Sequence, residues 1–138
     1  MRLTTLVLGC VATLACLPAP AHHSFAMFDQ TKTLTLVGTV SKFDWVNPHM
    51  HVHVLVAKAS QGIEAGEWDV EGASTNISAR EGWTRSTFAA GDKITVNIHP
   101  LRDGSKGGSL MFALAPDGKK LYHDINRSEG GGPAAPPY

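Results

Sequence analysis

The amino-acid sequence predicts a mainly-β fold, a small five-stranded barrel of the OB type with one helix between strands 3 and 4. Two observations carry this expectation. Residues 49–57 and 93–99 alternate apolar and polar side chains, the period-2 signature of strands with one buried face. The elements also run three strands, one helix, two strands, the order of a five-stranded Greek-key barrel, whose closure removes the exposed edges of short strands. An open antiparallel sheet with one helix against it has the same element order and stands as the alternative.

Each element has its own signal. Leu34 to Trp45 is rich in β-branched and aromatic residues and reads as the first strand, with Gly38 marking a bulge or sharp coil. Asn47-Pro48 makes a turn. In the second strand, His49 to Ala57, Met50, Val52, Val54 and Val56 point to one side and His49, His51, His53 and Leu55 to the other. Ser60 to Gly66 is a loop, and Glu67 to Glu71 a short third strand. Ser74 or Thr75 can cap a helix that continues through Ile77 to Trp83, with a break near Gly82. Gly91-Asp92 turns the chain into the fourth strand, Lys93 to His99. Arg102 to Gly108 is a hairpin loop before the fifth strand, Ser109 to Ala115. A segment from Lys120 to Ile125 adds an edge strand, and the Gly- and Pro-rich residues 126–138 are expected to be disordered.

The front of the chain carries an export signal. Arg2 precedes an apolar run from Leu3 to Leu17, and Ala19-x-Ala21 fits a signal-peptidase site, so residues 1–21 read as a signal peptide. The run is shorter than the roughly 20 apolar residues of a membrane span, and no second apolar stretch follows. A lipid anchor on Cys10 or Cys16 is the rival. Cleavage after Ala21 leaves one domain, residues 22–125, in the periplasm or outside the cell. Both cysteines leave with the signal, so neither a disulfide nor thiolate chemistry is expected. The chain has 12 Lys and Arg against 12 Asp and Glu, a balance that makes no electrostatic case for nucleic acid or an anionic membrane.

All seven histidines lie beyond residue 21. His49, His51 and His53 share one strand face, with neighbouring Cα atoms about 6.6 Å apart from a rise of roughly 3.3 Å per residue. Two imidazoles at that spacing can meet one ion at a nitrogen–metal distance of about 2.0–2.1 Å. A third ligand has to come from elsewhere. Processing would make His22 the first residue and His23 the second, and a terminal histidine offers its α-amine and ring together as a chelate. Such nitrogen donors suit copper above the other divalent first-row metals. The predicted metal ligands are therefore His22, His23, His49, His51 and His53, with copper as cofactor. Met27 is the one methionine expected at the surface near them, since alternation turns Met50 inward. Asp44, placed near His51, and Glu71, placed near His53, are the expected orienting carboxylates. Trp45, Trp68 and Trp83 read as packing residues, His99 as solvated surface, and His123 is given no role.

No phosphate loop, nucleophile elbow, H-E-x-x-H or C-x-x-C pattern is present, and no enzymatic activity is expected. The alternative to metal binding is a non-catalytic OB-type module that docks a periplasmic protein or small ligand on its strand 2–3 face. His22-His23-Ser24-Phe25, Gly38-Thr39-Val40, Trp45-x-Asn47-Pro48-His49, Gly82-Trp83-Thr84-Arg85 and Gly91-Asp92-Lys93 together resemble an uncharacterised family of exported bacterial proteins, domain of unknown function 6152, over residues 22–125. That resemblance implies a periplasmic location and a compact β domain, and no activity or cofactor. Trp45, His49 and Met50 are also loosely similar to the site of periplasmic OB-fold copper chaperones, whose Met-rich spacing this chain lacks.

Overall fold

A computed structural model describes residues 25–60 and 62–123. The predicted signal segment, His22, His23 and the tail from residue 126 lie outside the described residues. A short 3-10 turn, Phe25–Met27, leads into β1 (Leu34–Asp44), β2 (His51–Val56), β3 (Gly66–Glu71), helix α1 (Thr75–Arg80), β4 (Lys93–Pro100), β5 (Gly107–Leu114) and β6 (Lys120–Tyr122). Every predicted strand is present, with ends shifted by a few residues.

The first five strands close into a barrel. β1 pairs antiparallel with both β2 and β4, β2 with β3, and β4 with β5, while β3 runs parallel to β5 and completes the ring. β6 adds to β5 outside the closed ring. The helix lies between β3 and β4, as the OB-like order requires, and among the described residues no helix is long and apolar enough to cross a membrane.

The alternating strands supply the core. Leu36 and Val40 of β1, Val52, Val54 and Val56 of β2, Trp68 and Val70 of β3, Ile94, Val96 and Ile98 of β4, and Leu110 and Ala113 of β5 are all buried. Burying each of the Leu, Ile and Val side chains among them contributes on the order of 1.5–3 kcal/mol. Trp83 and Phe88 extend the core beyond the barrel, with ring centroids 5.6 Å apart in an edge-to-face arrangement. Trp68 and Trp83 are buried and Trp45 packs against the same cluster, in line with their reading as packing residues.

Three local details differ from expectation. The register shift in β1 falls between Val40 and Lys42, at Ser41 rather than at Gly38. Gly38 serves close approach instead: a Cβ there would come 2.6 Å from the Leu55 carbonyl oxygen. The N-cap position of α1 is Ser74, but its side chain makes no capping bond. Asn47 supplies the cap from the turn before β2, its Oδ1 accepting from the Thr75 backbone N–H at 3.1 Å and the Thr75 hydroxyl at 2.9 Å. The helix also stops at Arg80, sooner than expected. Gly82 takes the left-handed conformation (φ +89°) that ends it, and the Trp83 N–H reaches back to the Ser78 carbonyl at 3.0 Å.

Candidate functional site

The site is built by three neighbouring strands and their alternation. Met50 is fully buried, so His49 before β2 and His51 and His53 within it project from the barrel's outer face. β2 begins at His51, two residues later than expected, yet Met50 still exchanges backbone bonds with Gly72 and Ala73, which preserves the alternation. On the β1 side the register sets Asp44 opposite His51 and Lys42 opposite His53. On the β3 side it sets Glu71 opposite His51 and Asp69 opposite His53. The outer face therefore presents a row of imidazoles flanked on both sides by carboxylates.

The side chains pair diagonally across this grid, because diagonal neighbours on a sheet face lie within reach of long side chains. His53 Nε2 bonds Asp44 Oδ2 at 3.0 Å, one row away on β1. His51 Nδ1 bonds Asp69 Oδ1 at 2.8 Å, one row away on β3. His49 Nδ1 contacts Glu71 Oε1 in the same diagonal sense. Asp69 also sits 4.0 Å from His53 Nδ1, so one carboxylate faces two imidazoles. The register expectation for Asp44 and His51 was correct at the level of the backbone, but the Asp44 carboxylate goes to His53. Glu71, expected near His53, goes to His49. Asp69 was not singled out at all. The pattern Glu67-Trp68-Asp69-Val70-Glu71 does carry the signal, since its three acids alternate onto the face that must border the histidines.

The pairing shapes the electrostatics. The Asp69 carboxylate hydrogen-bonded to His51 holds that imidazole above the ordinary histidine value, opposed by partial desolvation. The His51 bond in turn holds Asp69 below the usual carboxylate range. Asp44 is held low first by Lys42, whose ammonium lies 2.8 Å away, and then by His53. A carboxylate can only accept, so the ring nitrogen facing it carries the proton. In the neutral ring that assignment places the His51 proton on Nδ1 and its lone pair on Nε2. Nε2 of His51 has no hydrogen-bond partner among the described residues. In His53 the order is reversed, with Nε2 committed to Asp44.

The rings of His51 and His53 stand side by side, 6.3 Å between centroids and 20° from parallel. Among the described residues no group of three or more His, Cys, Asp or Glu side chains is arranged to hold a metal ion. His51 and His53 are thus brought together with His49 and three carboxylates, while His22 and His23 fall outside the described residues. Met27 is exposed, on the 3-10 turn whose backbone carbonyl accepts the Arg102 N–H beyond β4.

Two further histidines take structural places. His99 is held by the Lys32 carbonyl, 2.8 Å from its Nδ1. His123 is wholly buried: its Nε2 accepts the Ala73 N–H, its Nδ1 faces Glu81 at 3.1 Å, and its ring packs edge-on against Trp83.

Residues 10–111 match the model of a family of unknown function (DUF6152), which spans more than half of the chain. The chain belongs to that family. The resemblance read from its scattered short motifs is thereby confirmed. No curated protein and no solved structure matches.

Proposed function

We propose that the chain is an exported, non-catalytic metal-binding protein of the periplasm, a copper buffer or carrier. Its ligands are His22, His49 and His51, with His23 and His53 beside them. The observation that carries this reading is the state of His51. A carboxylate holds its Nδ1 and leaves Nε2 with a lone pair and no partner among the described residues. Metal-ligating histidines are held in this way, with the second ring nitrogen donating to a carboxylate that fixes tautomer and direction. Asp44, Asp69 and Glu71 on the same face add negative charge, which favours a cation over an anion. The described imidazoles supply part of a ligand set. The rest comes from the processed N-terminus, where the amine and ring of His22 form a chelate.

Calorimetric titration of the processed protein, residues 22–138, with Cu(II) tests this reading. Binding tighter than micromolar is expected, and a form with one extra residue before His22 should bind more weakly. If the processed protein shows no such affinity, the reading fails.

One observation favours a second reading. The outer face of β2 and β3 is the surface on which OB barrels bind their ligands, and Leu55, 49% exposed, extends the imidazole row there. On this account the face docks a protein or small ligand without metal. Pull-down from periplasmic extract separates the two: a partner retained equally with and without chelator favours docking.

A further inference from the structure

We infer that Asp69 is the positioning residue that makes Nε2 of His51 the metal-binding nitrogen. The inference deepens the metal-binding reading and rests on it. Three facts converge on this carboxylate. Asp69 bonds Nδ1 of His51 at 2.8 Å, which forces the proton onto that nitrogen and leaves the opposite one with the lone pair. The same Oδ1 lies 4.0 Å from His53 Nδ1, beyond hydrogen-bond reach, so the one imidazole that Asp69 binds is His51, whose ring stands nearly parallel to that of His53. Its backbone is also fixed on two sides, by β2 through His53 and by β5 through Gly107, so the carboxylate starts from an anchored strand. By contrast Asp44 takes Nε2 of His53, the nitrogen that in His51 remains open. The two acids therefore sort neighbouring histidines into opposite tautomers, and Asp69 selects the one whose outer nitrogen can ligate.

A carboxylate that orients a ligating imidazole typically contributes 10–100-fold to metal affinity. Asp69 is exposed on the outer face of the barrel and contributes nothing to its core, so the variants are expected to fold.

The test compares the processed wild-type protein with Asp69→Ala, Asp69→Asn and Glu67→Gln. Glu67 lies on the same strand face but accepts from the Ser41 hydroxyl at 2.7 Å and, among the described residues, forms no hydrogen bond or ion pair with a histidine, so it controls for loss of one nearby charge. Two measurements are made. Nitrogen NMR of the metal-free proteins at alkaline pH reads the His51 tautomer: Nδ1–H in the wild type and Glu67→Gln, reverting in Asp69→Ala to the Nε2–H form that free imidazole prefers. Calorimetry with Cu(II) reads affinity: about 10–100-fold weaker in Asp69→Ala, partly restored in Asp69→Asn, whose amide oxygen still accepts from Nδ1, and within about twofold in Glu67→Gln, because exposed charges are strongly screened. An unchanged tautomer, or wild-type copper affinity in Asp69→Ala, overturns the inference while the metal reading stands. A wild-type protein that does not bind copper overturns both.

Discussion

His123 accepts the Ala73 N–H at Nε2 and reaches Glu81 through Nδ1, so a single buried ring joins the loop after β3, the end of α1 and the chain leaving β6. Truncating it strands a buried N–H and opens a cavity beside Trp83, each a recognised source of large destabilisation. His123→Ala is therefore expected to lower stability by about 3 kcal/mol in urea unfolding, from the unsatisfied amide and the lost packing together. His99→Ala removes a bond to one exposed carbonyl and should cost less than about 1 kcal/mol. Equal losses in the two variants would refute this division. The contrast marks a limit of reading residues one at a time. His123 follows Leu121 by two residues, so the alternation that buries Leu121 buries His123 too, yet three residues of strand are too few to make that period stand out. The histidines of β2 were legible because six residues alternate without interruption. Their partners were not, because a diagonal bond depends on which way each side chain leans from a known register.

At the scale of elements, the segment before β1 shows how a polar turn ties an irregular stretch to the barrel. Phe28 bridges Leu101, the Asp29 N–H donates to the Pro100 carbonyl at 2.8 Å, and the Arg102 N–H donates to the Met27 carbonyl at 2.9 Å. Asp29 shapes the turn, its Oδ1 accepting from both the backbone N–H and the hydroxyl of Thr31. The Thr31 hydroxyl, followed by Lys32, holds the Asp29 carboxyl at about 2. A carboxyl depressed in the folded state stabilises it at pH values above the unfolded value of about 3.9, and that contribution fades as pH falls through the folded value. Stability should thus decline from about pH 4 downward, and Asp29→Asn should flatten that acid limb while leaving stability near neutrality lower than wild type. Denaturant melts from pH 2 to 7 would show it, and an unchanged acid limb in the variant would rule it out. The cap on α1 belongs at this scale as well. Ser74 occupies the position that sequence rules favour, but the bond comes from Asn47, 28 residues earlier, a partner that only the folded barrel brings near.

For the whole molecule, closure of the barrel and the geometry of the site depend on the same contact. β3 and β5 meet through three residue pairs, Asp69 with Gly107, Val70 with Gly108 and Glu71 with Ser109, so both β3 carboxylates that hold histidines sit on the closing seam. The order of elements made a barrel foreseeable, but this parallel seam left no periodic trace beyond two adjacent glycines. Those glycines let β5 squeeze between its neighbours. A Cβ on Gly108 would lie 2.5 Å from the His99 carbonyl oxygen and 2.8 Å from Ile98 Cδ1, and backbone cannot yield there as a side chain can. At Gly72 an added Cβ would meet side-chain atoms and no backbone, Met50 Cε at 2.6 Å and Cγ at 2.8 Å. Gly108→Ala should therefore destabilise by about 1–3 kcal/mol as an overpacked seam, and Gly72→Ala by less. Because the displaced strand carries the partner of Asp69, Gly108→Ala should also weaken the bond between Asp69 and His51 and broaden the His51 ring signals, a change that Gly72→Ala does not make. Thermal melts and nitrogen spectra of the two variants, taken side by side, decide the point: if Gly108→Ala melts with the wild type, or lowers stability while leaving the His51 signals untouched, closure and site are independent.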